Sequence, residues 1–154
     1  MLDLSDVPLT EGLAAAEEAW AGGVGDLGDP EAPYIAQQMP GYGDYRGTME
    51  DLLRAKLGDS FVMYRSIAPS EWTEWREGLV QDCRGFTFNH ALACAWHHVA
   101  GHRSKERLVM MAIVSPQAAI LRGQAAEAEL VLDGSWIQGS DVSLIRGVCR
   151  NGRT

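Results

Sequence analysis

No stretch of this 154-residue chain approaches the roughly eighteen consecutive apolar residues of a membrane-spanning helix. Its first residues, Met1-Leu-Asp-Leu-Ser-Asp6, lack the basic start and apolar centre of a secretion signal. The sequence therefore predicts a soluble, unprocessed protein with no membrane partner. Cysteine is scarce. Cys83, Cys94 and Cys149 show no CxxC spacing, and their odd number argues against a complete disulfide framework, so a reducing cytoplasm is the simplest setting. Basic clusters are missing too. The first 47 residues carry nine acidic side chains and one basic one, Arg46, whereas the remainder holds twelve of each sign. The net charge of −8 thus sits at one end, and it disfavours phosphate backbones and membrane surfaces, which leaves nucleic acid out as a partner. No GxGxxG or GxxxxGK[ST] follows any candidate strand, so a dinucleotide would have to bind without a Rossmann turn or a P-loop.

The length suits one domain with a sizeable core. Residues 1–47 form an acidic leader punctuated by glycine and proline, followed by a body over 48–154. In the leader, Thr10 is placed to cap a helix over Glu11–Ala21 whose Leu13, Ala16 and Trp20 share a face. Residues 22–47 read as a long loop. The leader serves either as a solvated face or as an arm that docks on a basic partner. Thr48 is placed to cap a second helix, with Met49, Leu52, Leu53 and Leu57 as its apolar stripe and Gly58 as its end. Phe61–Ile67 reads as a strand, and Pro69-Ser70 opens a helix carrying Trp72 and Trp75 as packing anchors. A brief strand at Gly85–Phe88 leads into a helix over Ala91–Gly101, and strands follow at Arg107–Val114, Ala126–Leu132 and Val142–Val148. Helices followed by mostly antiparallel strands predict an α+β fold.

Three short pieces on these strands carry chemistry: Tyr64-Arg65, Phe86-Thr87-Phe88-Asn89, and Glu127-Ala-Glu129-Leu-Val-Leu-Asp-Gly134-Ser135. In order and spacing they resemble the arginine, hydroxyl and Glu-x-Glu motifs of the mono-ADP-ribosyltransferases of the R-S-E class, over residues 61–148. The second motif reads Thr-Phe-Asn where that family has Ser-Thr-Ser. The resemblance implies two small, mostly antiparallel sheets packed at an angle with NAD as co-substrate between them. It further implies transfer of ADP-ribose to a protein side chain, with release of nicotinamide. By position, Glu129 would be the catalytic carboxylate, and Glu127 would accompany arginine as the acceptor on a target protein. Arg65, with Ser66 beside it, would grip the diphosphate, and Thr87 with Asn89 would orient the ribose. The loop around Arg103 would supply a second phosphate contact, and Ser115–Ala126 would recognise the acceptor. An NAD glycohydrolase, or an inactive NAD- or protein-binding module of the same fold, are the alternatives. A small bacterial or bacteriophage effector acting in a host cytoplasm would suit the composition, and nothing in the pattern fixes an oligomeric state.

The chemistry explains why these residue types belong together. Loss of nicotinamide builds positive charge on a ribose carbon, so a fixed carboxylate beside the 2′-hydroxyl stabilises the transition state more than the ground state. Arginine's planar fork suits phosphate oxygens. Alternate strand positions share a face, which would bring Glu127 and Glu129 to one site. A competing signal is the ladder His90, Cys94, His98 and His102. Its members drift around the helix by about 40° per step at 3.6 residues per turn, so it reads as a polar face with a capping role for Asn89 or His90, and no metal is expected.

Overall fold

A computed structural model of the protein describes residues 2–22, 29–99, 107–125 and 128–145, with side chains omitted at 95–99. Three helices come first, α1 (Glu11–Ala21), α2 (Ala32–Gln37) and α3 (Tyr42–Leu57). Then follow β1 (Phe61–Ile67), α4 (Pro69–Arg76), β2 (Cys83–Thr87), α5 (His90–Val99), β3 (Leu108–Val114), β4 (Ala119–Arg122), β5 (Glu129–Asp133) and β6 (Val142–Ile145). The α+β class expected from the sequence is what is seen. Among the described residues six strands form one antiparallel sheet in the order β4-β5-β2-β1-β3-β6, and the two separate sheets expected are not seen among them. The middle of that sheet is nonetheless its thinnest joint. β1 pairs with β3 along all seven of its residues, whereas β1 and β2 meet in register at Tyr64 and Thr87 alone.

The leader is not a loop with one helix. α1 starts at Thr10, whose hydroxyl accepts from the Leu13 N–H at 3.2 Å, and it buries Leu13, Ala16 and Trp20. Within the stretch expected to be a loop, α2 buries Ala32, Pro33 and Ala36. α3 begins at Tyr42, behind a left-handed Gly41 with φ of +86°, so Thr48 lies inside the helix instead of capping it. Gly43 and Gly47 disfavour that helical turn locally. The stripe Tyr45, Met49 and Leu53, all fully buried, supplies packing that outweighs the penalty. The expected boundary between 47 and 48 therefore falls within α3. Residues of α1, α2 and α3 share one hydrophobic core with Phe86, Met110, Leu121, Leu130 and Leu132 of the sheet.

β4 was also absent from the expected elements, since its four residues lay in the presumed acceptor loop. It is an edge strand, and α3 covers its outer side. Tyr42 donates its hydroxyl to the Ile120 carbonyl at 2.8 Å, and the Arg122 N–H donates to the Tyr45 hydroxyl at 2.8 Å. These contacts satisfy backbone groups that an edge otherwise leaves open to another chain. Burial pushes the Tyr42 hydroxyl up to about 12 and raises that of Tyr45 further, so both stay protonated donors at neutral pH.

Candidate functional site

Register partners in an antiparallel sheet point to the same side. Tyr64 pairs with Thr87 and Thr87 with Glu129, so these three side chains form a row across β1, β2 and β5. Two expected site residues, Thr87 and Glu129, are thereby brought together. Arg65 is not. Its neighbours in the chain alternate with it, and it turns to the opposite face with Phe86, which packs edge-on against Trp75 of α4 at 5.6 Å between ring centroids.

On that far face Arg65 is fully engaged. Its Nε donates to Glu71 Oε2 at 2.6 Å, its Nη2 to Glu71 Oε1 at 3.3 Å, and its Nη1 to the Gly85 carbonyl at 2.9 Å. Glu71 also accepts from the Trp75 indole at 2.8 Å and faces Arg84 at 3.2 Å. Burial, the largest single effect, pushes the Glu71 carboxyl up. The Arg65 charge and hydrogen bond, the Trp75 hydrogen bond and the Arg84 charge together outweigh it and hold the group below the usual carboxylate value. The sequence placed Arg65 on a diphosphate. Strand alternation places it instead as a brace between α4 and the weakly paired junction of β1 with β2.

Ser66 and Asn89, the expected cofactor contacts, also have structural duties. Ser66 is buried, and its hydroxyl and carbonyl accept from Arg107 Nε and Nη2 at 3.3 and 2.9 Å. Asn89 caps α5, its Oδ1 accepting from the Leu92 N–H at 3.1 Å, while its own N–H donates to Thr87 Oγ1 at 2.9 Å. The capping role foreseen for this position is thus filled by Asn89. Glu127 and Arg103, along with His98 and His102 of the histidine ladder, lie outside the residues whose side chains are described. Among the described residues no group of three or more metal-ligating side chains converges. His90 instead meets Cys94 at 3.5 Å and packs edge-on against Tyr64, 5.0 Å between ring centroids.

Glu129 is held with unusual care. Its Oε1 accepts from the Gln124 N–H at 2.9 Å and from the Trp20 indole N–H at 3.1 Å. Its carboxyl lies in a cradle of two glycines. A methyl group on Gly85 would overlap Oε2, and one on Gly123 would come within 2.5 Å of the Glu129 Cγ and 2.6 Å of its Cδ. The chain enters β5 through Ala128, which has a left-handed φ of +48°. That conformation is uncommon for a residue with a Cβ and marks a locally strained approach. It also marks the start of the strand, since β5 begins at Glu129.

Sequence reasoning missed Tyr64, His90, Trp20 and the glycine pair as parts of this site. The signal for Tyr64 was present in strand alternation, which separates it from Arg65. Nothing local in sequence connects Trp20 or Gly123 to Glu129. Of the cysteines, Cys83 is a free thiol and Cys94 is disulfide-bonded, which the odd count allows. No helix among the described residues is long and apolar enough to cross a membrane. No family model, curated protein or solved structure matches this chain.

Proposed function

We propose that the protein is a mono-ADP-ribosyltransferase that cleaves NAD, releases nicotinamide and passes ADP-ribose to a side chain of a target protein, with arginine as the acceptor. The observation that carries this reading is the Thr87–Glu129 pair, with the carboxyl seated between Gly85 and Gly123. A carboxylate fixed before the reaction begins needs no reorganisation as positive charge develops on the ribose, which is where preorganised electrostatics contribute most. Thr87, beside it on β2, supplies the hydroxyl. Tyr64 and His90 add an aromatic wall of the kind that suits a flat nicotinamide ring. Arg107, which reaches Ser66 on the Tyr64 face, takes the diphosphate in place of Arg65.

The ADP-ribosyltransferase fold, on a sheet whose thinnest joint lies between β1 and β2, is part of the same proposal. So is an effector role in a host cytoplasm, although a disulfide at Cys94 fits an oxidising compartment better. One observation favours the inactive-module alternative. Arg65, the cation the family motif puts on the diphosphate, is committed to Glu71.

The test is nicotinamide release from NAD by wild type and Glu129→Gln, with and without a protein lysate as acceptor. The transferase predicts release that rises with lysate, labels protein and falls at least about a hundredfold in Glu129→Gln. Glu129-dependent release without labelled protein indicates a glycohydrolase. No release from wild type removes the enzyme reading.

A further inference from the structure

Helix α1 is anchored to the body by more than its single tryptophan. Leu13 and Ala16 are buried in the core, and Glu17 meets Arg122 Nε at 2.7 Å, with the Tyr45 hydroxyl donating to the same carboxylate at 2.5 Å. One turn further on, Trp20 does something different. Its ring is nearly buried and lies over Gly85, with Cζ2 only 3.1 Å from where a Cβ would stand. Its indole N–H ends on Glu129 Oε1. The adjacent Ala21 carbonyl accepts from the Gln124 side chain at 3.3 Å, so this end of α1 is tied to the same residue whose backbone N–H also holds Oε1.

The geometry points to Trp20 as a positioning residue for Glu129, which makes the acidic N-terminal segment a structural component of the site. An indole N–H is a donor only, and a ring with two side-chain torsions packed against a glycine has little freedom to carry that donor elsewhere. Trp20 and Gln124 therefore fix one carboxyl oxygen from two directions, and Gly85 and Gly123 admit the group beneath them. A catalytic group displaced by about 1 Å loses large factors in rate. The donor on α1 is thus coupled to turnover even though it touches no substrate. Its effect on rate rests on the transferase reading, whereas the contact itself does not.

The two parts are tested separately. Trp20→Phe keeps an apolar ring and removes the donor. Its kcat for nicotinamide release should fall about tenfold or more, in line with the loss of one hydrogen bond to a charged group, with KM for NAD within about twofold. A merely structural tryptophan would lower Tm and leave kcat of the folded enzyme unchanged, and that result overturns the proposal. The second arm needs no activity. The Trp20 indole N–H resonance, assigned by through-bond correlation in the full chain, should move in Glu129→Gln, because an amide oxygen is a weaker acceptor than a carboxylate. If it stays in place, the contact is absent and the proposal fails, even if Trp20→Phe does not fold. If wild type releases no nicotinamide, the transferase reading falls while the resonance still decides whether Trp20 holds Glu129.

Discussion

Arg65 and Glu71 form a two-pronged pair, Nε to Oε2 and Nη2 to Oε1, on the face of the sheet opposite Glu129. The third arm of the guanidinium reaches the Gly85 carbonyl, and Gly85 is half of the cradle under the Glu129 carboxyl. Arg65 thus supports the candidate site from behind. Lysine keeps the charge but not the fork, so Arg65→Lys should lower stability by about 1–3 kcal/mol, read as a shift in urea midpoint. KM for NAD should change little. Arg107→Lys should do the reverse, raising KM for NAD with a smaller effect on stability. A large rise in KM in Arg65→Lys instead would return the arginine to the diphosphate.

The Glu71 carboxyl is held below its ordinary value of 4.5 by Arg65, Trp75 and Arg84 acting against burial. A carboxyl whose folded-state value is depressed contributes stability that is fully present above its unfolded value. That stability is lost as pH falls through the lower folded value. Unfolding free energies of wild type between about pH 6 and pH 3 should therefore decline on the acid side. In Glu71→Gln the starting stability should be lower and the decline shallower. Parallel curves for the two proteins would show that Glu71 does not contribute to acid sensitivity.

Cys83 is a free thiol on β2 whose N–H donates to the Tyr34 hydroxyl at 3.1 Å. Burial, reinforced by the carboxylates of Asp133 and Asp82 against the Tyr34 hydrogen bond, pushes the thiol up to about 11. Thiolate is the reactive form, so Cys83 should alkylate slowly with iodoacetamide at neutral pH in the folded protein and at the rate of an ordinary cysteine in urea. Rapid labelling of the native protein would contradict the burial.

The elements with a strong period were legible from the chain. α1 has the expected limits because Thr10 caps it and Leu13, Ala16 and Trp20 repeat at helical spacing. β1 and α4 likewise follow from a β-rich run ended by Pro69. α3 was misjudged at its start because glycines at 41, 43 and 47 suggest a loop, and only the buried Tyr45 face reveals why a helix forms there. β4 was missed because four residues are too few to show alternation. In the site, Thr87 and Glu129 were legible as motif members. Their supports, Trp20, Gly85 and Gly123, come together only through folding. The face that Arg65 takes was not legible, since a motif that names Tyr64-Arg65 does not say which of the two faces Thr87.

Gly123 offers the most selective test of the cradle, because it lies outside the strands and carries no chemical group of its own. Its N–H donates to the Glu129 carbonyl at 2.9 Å, a contact that alanine retains. The added methyl of Gly123→Ala would instead press on Cγ and Cδ of Glu129. A side chain of that length can swing away, so the fold should lose only about 1–2 kcal/mol. The displaced carboxyl cannot then keep its hydrogen bonds to both Trp20 and Gln124. Nicotinamide release should fall by about tenfold or more although Glu129 itself is intact, and the Trp20 indole resonance should shift as it does in Glu129→Gln. Full activity in Gly123→Ala, with an unshifted indole, would mean that the position of this carboxyl does not govern turnover.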